Sequence, residues 1–299
     1  MTRSAIYANH DASARGLFDI FLDFVILKAS GRARLRHIQR STSRRRSLLA
    51  EEAVNSESWT SRLSRERVVV APSLLAADFA NLESEIRKLE AGGAQVLHID
   101  VMDGRLVPNI SFGVPVVSAI RKVTTLKLDV HLMIVEPERY VEAFRAAGAD
   151  SLSIHIEAVP DPTELLGKIR DLGAAPGLVL DCGTPISAIL PYVELADILL
   201  TMSVPAGFGG QAFHAEVLDS IRTLRRLARP DALIEIDGGI DVETIGAAAV
   251  AGVNMFVSGT SVFRASNYGD QMTILKKAAF DALANNGERL DASFDTRNR

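Results

Sequence analysis

Cysteine is nearly missing from these 299 residues: Cys182 stands alone, which excludes an internal disulfide and any zinc site built from a cysteine cluster. A reducing compartment suits such a chain, so a cytoplasmic location is expected. Long apolar runs are missing too. The best, Leu17 to Leu27, is interrupted by Asp19 and Asp23 and falls well short of the ~20 residues that a membrane span needs, so no membrane partner is expected. A large charge of either sign is also absent. The formal net charge of -4 gives no general pull toward nucleic acid, and no nucleic-acid partner is expected.

Acidic residues vanish in one place. From Lys28 through Arg32, Arg34, Arg36, Arg40, Arg44, Arg45 and Arg46 no Asp or Glu occurs until Glu51, and the stretch is rich in serine. An Arg- and Ser-rich, acid-poor leader resembles an organelle transit peptide, but Asp11, Asp19 and Asp23 count against it. A disordered extension over residues 1–66 is the expectation, with RNA binding by the arginines a weaker alternative.

The remainder, with 47% hydrophobic and 23% charged residues across the whole chain, has the composition of a globular domain. From Val68 short β-branched runs alternate with helical stretches, eight times over. The strand candidates are 68–72, 96–101, 126–132, 151–156, 177–181, 198–202, 233–237 and 255–258. Between them, Phe79 to Ala91 carries Leu82, Ile86 and Leu89 at helical spacing and stops at Gly92-Gly93, and Val141 to Ala147 stops at Gly148. Such alternation implies parallel strands joined by right-handed crossovers, so an α/β fold of the (β/α)8 TIM-barrel type is expected over residues 67–287. A polar tail, 288–299, would follow. An open doubly wound sheet is the alternative. The barrel is favoured because Ser73, Asp100, His131, His155, Asp181, Ser203, Asp237 and Ser258 fall at or just past the C-terminal ends of the strands, where such barrels place their active sites.

Three of these strands carry a chemical pattern. His98, Asp100 and Met102 alternate along one, Asp129, His131 and Met133 along the next, and Asp237 ends a third just before Gly238-Gly239. Side chains two residues apart share a strand face. If these strands share a sheet, His98, Asp100, His131 and Asp237 converge as ligands for one divalent ion; Zn, Fe(II), Mn and Co all suit two imidazoles with two carboxylates. Glycine clusters at Gly207, Gly209 and Gly210, at Gly238 and Gly239, and at Gly259 with Thr260 end the last three strands, where backbone N–H groups can approach a phosphate. A cation between two carboxylates beside a phosphate anchor suits proton transfer at a carbon next to a carbonyl, because the ion stabilises the enediolate. With Asp100 and Asp237 on opposite faces of that intermediate, one removes a proton and the other returns one with inversion. The result is epimerisation.

The chain resembles the ribulose-phosphate 3-epimerase family from about Val69 to Phe263. The resemblance lies in Ala71-Pro72-Ser73, Leu97 to Gly104, Val107-Pro108-Asn109, Leu128 to Met133, Met202-Ser203-Val204, Gly207-Phe208-Gly209-Gly210-Gln211 and Asp237-Gly238-Gly239. It implies 3-epimerisation of D-ribulose 5-phosphate to D-xylulose 5-phosphate, with His98, Asp100, His131 and Asp237 as metal ligands and the two aspartates as acid and base. It further implies substrate contacts from Ser73, His131, Phe208 and the glycine loops, a lining of Met102, Met133 and Met202, and a homo-oligomer. Arg105-Leu106, Asp181-Cys182 and Pro205-Ala206 depart from the family pattern of His or Arg then Phe, Asn-Pro, and Asn-Pro. These rim changes leave a related ketose phosphate such as allulose 6-phosphate open. A lyase or decarboxylase on the same barrel would need a lysine two residues after Asp100, where Met102 stands, and a barrel kept only for binding would be expected to lose a ligand.

Overall fold

The computed structural model describes residues 58–295, with side chains described through residue 287. Residues 1–57, which hold the arginine run and most of the expected extension, and residues 296–299 lie outside the described residues. Eight parallel strands form the core: β1 (Val69–Pro72), β2 (Val96–Met102), β3 (Lys127–Met133), β4 (Ser151–His155), β5 (Ala175–Leu180), β6 (Ile198–Met202), β7 (Leu233–Asp237) and β8 (Met255–Ser258). They pair in chain order, β8 pairs β1, and a parallel bridge between Ser73 and His98 closes the ring. The barrel is therefore the observed fold.

Every strand is buried on both faces, which is why the sequence shows near-continuous apolar runs. Leu97, Ile99, Val101, Leu128, Val130 and Leu132 pack outward in the large cluster that also holds Ile86, Leu89, Val117 and Ile120 of the surrounding helices. The alternate residues of β2 and β3 therefore face the barrel axis. The helices are α1 (Trp59–Ser64), which precedes the barrel, and α2 (Leu82–Ala91), α3 (Val114–Val123), α4 (Val141–Ala147), α5 (Thr163–Asp171), α6 (Val217–Leu227), α7 (Ile245–Ala251), α8 (Thr260–Phe263) and α9 (Tyr268–Asp295). Gly148 ends α4 in the left-handed region at φ 115°, a conformation glycine adopts without a Cβ clash. No helix among the described residues is long and apolar enough to cross a membrane.

Two features differ from the sequence-based expectation. No α-helix links β5 to β6; two short 3₁₀ turns, Ile186–Ala188 and Leu190–Tyr192, do so instead. Pro185 precedes the first turn and Pro191 lies within the second, and each removes a backbone donor that a longer helix would use. The second difference concerns the domain start. Helix α1 lies before residue 67 yet plugs the N-terminal end of the barrel, with Leu63 buried among Val69, Ala71, Val96, Ile198, Leu233, Met255 and Val257, and Trp59 packed beside them. The Ser58 hydroxyl caps it by accepting from the Ser61 N–H at 3.1 Å. At six residues it is too short to show helical periodicity. At the other end, α9 runs past residue 287 to Asp295.

Candidate metal centre and active site

Register alone brings the site together. Across β2 and β3, His98 pairs with Asp129, Asp100 with His131 and Met102 with Met133, while Ser73 bridges to His98 and Asp237 of β7 pairs with Met202 of β6. Parallel partners in register point the same way, so imidazoles, carboxylates and thioethers form successive layers inside the barrel. Ligand atoms of His98, Asp100, His131 and Asp237 all lie within 4.8 Å of one another.

Hydrogen bonds prepare these atoms. His98 Nδ1 lies 2.7 Å from Asp129 Oδ2, and His131 Nε2 lies 2.8 Å from His155 Nε2. Each ring thus uses one nitrogen on a support. The others, His98 Nε2 and His131 Nδ1, are buried without a hydrogen-bond partner and lie 3.3 and 3.4 Å from Asp100 Oδ1. Two buried imidazole nitrogens left without a partner and converging on one carboxylate oxygen fit a divalent cation, because burial without a partner is otherwise unfavourable. The N and O donors suit a borderline ion. Ser73 Oγ donates to the other oxygen, Asp100 Oδ2, at 2.5 Å and holds the carboxylate in place.

The two aspartates differ electrostatically. Burial raises the Asp100 carboxyl, but the adjacent His98 and His131 imidazoles reverse this and hold it far below the usual carboxylate range. Asp237 is pushed up to about 7 by burial and then by the charge of Asp100. Asp100 is held ionised while the proton affinity of Asp237 is raised to the neutral range, the opposed bias that an acid and base pair requires. Burial pulls the His131 imidazole down to about 4. Burial disfavours charge on His98 as well, yet Asp100, Asp129 and Glu235 surround it and raise it well above the usual histidine value. A field that attracts a proton so strongly also attracts a metal cation.

Above the ligands opens a cavity of about 770 Å³. Its walls include the three methionines expected there, Met102, Met133 and Met202, and Ser73. Gly207, Phe208, Gly209, Gly210, Gly238, Gly239, Gly259 and Thr260 line it as well, so every expected substrate-contact residue except His131, which lies deeper as a fully buried ligand candidate, lines the cavity. Gly238 and Gly239 turn with φ 113° and 61°, and a Cβ on either would meet Val204 Cγ2 at 2.5 Å or the Phe213 backbone nitrogen at 2.9 Å. Glycine is required there by crowding and conformation together.

Several rim expectations resolve differently. Asp181, although at a strand end, does not line the cavity; its carboxylate accepts from the Cys182 N–H at 2.7 Å. Arg105, Leu106, Cys182, Pro205 and Ala206 do not line it either. Leu106 and Ala206 instead pack against the cluster of Met102, Val107 and Met133. Sequence reasoning left Glu235 without a role, although it sits one inward position before Asp237; both its oxygens are buried, and Oε1 is 3.3 Å from His98 Nδ1. The period of two would have found it. Arg264 and Gln271 also line the cavity, but they come from the segment after β8 and carry no local signal.

Comparison with known proteins agrees with this geometry. Residues 69–263 match the Ribulose-phosphate 3 epimerase family. The chain is 47% identical over 210 residues to a ribulose-phosphate 3-epimerase of Synechocystis, covering 69% of this chain and 91% of that protein. It is likewise 47% identical over 204 residues to the Bacillus subtilis ribulose-phosphate 3-epimerase, covering 67% and 94%. Among solved structures, 3-hexulose-6-phosphate synthase from Salmonella typhimurium superposes with a TM-score of 0.55 at 17% identity, over 72% of this chain and all of that one, a likeness of fold alone.

Proposed function

The chain belongs to the ribulose-phosphate 3-epimerase family, an isomerase family, and from that premise we propose that Asp100 and Asp237 interconvert D-ribulose 5-phosphate and D-xylulose 5-phosphate by moving a proton at C3. The observation that carries this reading is the pair of carboxylates with opposed proton affinities, set around two partnerless imidazole nitrogens beneath a cavity of about 770 Å³.

Ionised Asp100 removes the C3 proton from one face of the sugar. Asp237, whose proton affinity burial and Asp100 raise, delivers a proton to the other face of the planar enediolate, and in the reverse direction the two exchange roles. Ser73 donates to Asp100 Oδ2 and fixes the orientation of that carboxylate. Met102, Met133 and Met202 present apolar thioethers to the reacting carbons and keep water from quenching the intermediate. Backbone amides of the Gly207–Gly210 loop, Gly238, Gly239 and Gly259, together with Thr260, bind the phosphate and so fix the sugar's depth. His98, Asp100, His131 and Asp237 would hold one divalent cation, Zn, Fe(II), Mn or Co. Bound there, it would polarise the ketone and lower the cost of the negative charge that develops on oxygen.

The test is exchange with solvent. In D2O, with a divalent ion added, xylulose 5-phosphate formed from ribulose 5-phosphate should carry deuterium at C3. No conversion and no exchange with this substrate, while allulose 6-phosphate is converted, would transfer the reading to the related hexulose phosphate; no exchange with either would refute it. A cytoplasmic setting suits a chain with one cysteine, whose thiol burial raises to about 11 and so keeps protonated.

A further inference from the structure

Behind His98 the hydrogen-bond chain reaches a carboxylate directly, whereas behind His131 it passes first through a second imidazole. His131 Nε2 meets His155 Nε2 at 2.8 Å, and the rings lie within 14° of one plane with centroids 5.0 Å apart, so they touch at their nitrogen edges. His155 Nδ1 lies 3.1 Å from Glu157 Oε2. The other oxygen, Glu157 Oε1, accepts the Asp181 N–H at 3.0 Å. His131 and His155 are buried and Glu157 reaches toward the rim, its side chain 26% exposed.

Donor and acceptor rules give this chain a direction. A carboxylate only accepts, so His155 must donate through Nδ1. Its Nε2 is then the acceptor, and the short contact requires His131 to donate through Nε2. The proton of the His131 ring is thereby placed on Nε2, and Nδ1 keeps a bare lone pair aimed into the ligand cluster. That atom is one of the buried nitrogens without a hydrogen-bond partner. Reversing the chain would break the 3.1 Å hydrogen bond between His155 Nδ1 and Glu157, whereas His131 Nδ1 stands 3.4 Å from Asp100 Oδ1 without a hydrogen bond, and it would put a proton on His131 Nδ1, where a cation must bind.

We propose that Glu157 is a positioning residue which, acting through His155, selects the His131 tautomer whose Nδ1 is free to take a divalent cation. The inference rests on the metal centre proposed above, and it concerns residues at the β4 end that touch neither substrate nor ion.

Glu157→Gln tests it with almost no change in shape. The Asp181 N–H continues to hold the amide oxygen, so the NH2 group faces His155 Nδ1 and donates where the carboxylate accepted. Both imidazoles must then turn their protons around. In 15N-resolved spectra of the metal-free protein, the His131 proton should sit on Nε2 in the wild type and on Nδ1 in the variant. Titration with Mn2+ should give a dissociation constant about 10–100-fold higher for the variant, the usual effect of losing a group that orients a ligand. Turnover of the variant should recover at saturating Mn2+. A dissociation constant within twofold of wild type together with an unmoved His131 proton overturns the proposal. Should the variant not fold, the wild-type spectrum decides by itself: a proton on His131 Nδ1 refutes the relay. If the wild type binds no Mn2+ or other divalent ion, the metal reading of the site fails, while the tautomer measurement still judges the relay.

Discussion

Asp237 is the residue on which the chemistry is most exposed to test. Asp237→Asn keeps the size and removes the proton-carrying oxygen, so kcat should fall by about 10²–10⁴-fold, the range for a lost general acid or base, with circular dichroism unchanged. Near-normal turnover would remove this residue from the mechanism. Its raised proton affinity also predicts a stability trend. A carboxyl with pKa about 7 in the fold and 3.8 when free binds more protons folded than unfolded between those values. Its contribution is fully present below pH ~4 and is lost as pH rises toward 7. In chelator, the thermal midpoint of wild type relative to Asp237→Asn should therefore decline over that window, and a rising difference would contradict the assigned direction. At this scale much was legible: period two on β2 and β3 named His98, Asp100 and His131, and the strand end before Gly238-Gly239 named Asp237. Which nitrogen of each histidine faces the centre was not, because that depends on Asp129 and His155, partners supplied by neighbouring strands.

Among the elements, strand register carries the site, and β5 shows how tightly the interior is packed. Gly177 pairs with Ser153, and a Cβ at Gly177 would lie 2.0 Å from Ser153 Oγ and 2.9 Å from its Cα. Backbone cannot retreat as a flexible side chain can. Gly177→Ala should destabilise by about 1–3 kcal/mol, read as a lower denaturant midpoint at unchanged slope. An unchanged midpoint would mean that Ser153 rotates aside at little cost. Strand centres were readable from apolar runs, whereas the start of β5 was not, since Pro176 argues against a strand in sequence and yet lies within it, its carbonyl accepting the Asp197 N–H at 2.8 Å. The missing helix between β5 and β6 was signalled by Pro185 and Pro191 but masked by the regularity of the other units.

For the whole molecule, the barrel has two ends with different duties. The C-terminal rim holds the cavity, and the N-terminal end is closed by α1. Leu63→Ala should cost about 2–5 kcal/mol of stability by opening a cavity in the floor, with kcat at low temperature unchanged because the reacting centre lies at the opposite end. Deleting residues through Glu66 would remove that plug as well, so it should lower the thermal midpoint more than deletion through Glu57. Equal midpoints for the two deletions would show the floor helix to be dispensable. Removing divalent ions with a chelator should abolish C3 exchange while leaving far-UV circular dichroism in place, since the apolar layers around the barrel do not depend on the ligand cluster; restored exchange on adding Mn2+ or Co2+ completes that test.

By itself the sequence determined the alternation of strand and helix, the inward face of β2 and β3 and the glycine turns, because each of these follows from spacing within a few residues. Only the tertiary structure decided that α1 fills the barrel floor, that the changed rim residues lie off the cavity, and that His131 leans on His155 and Glu157. Those outcomes depend on which strands become neighbours and how they are staggered. Such contacts join residues far apart in the chain, and no local pattern encodes them.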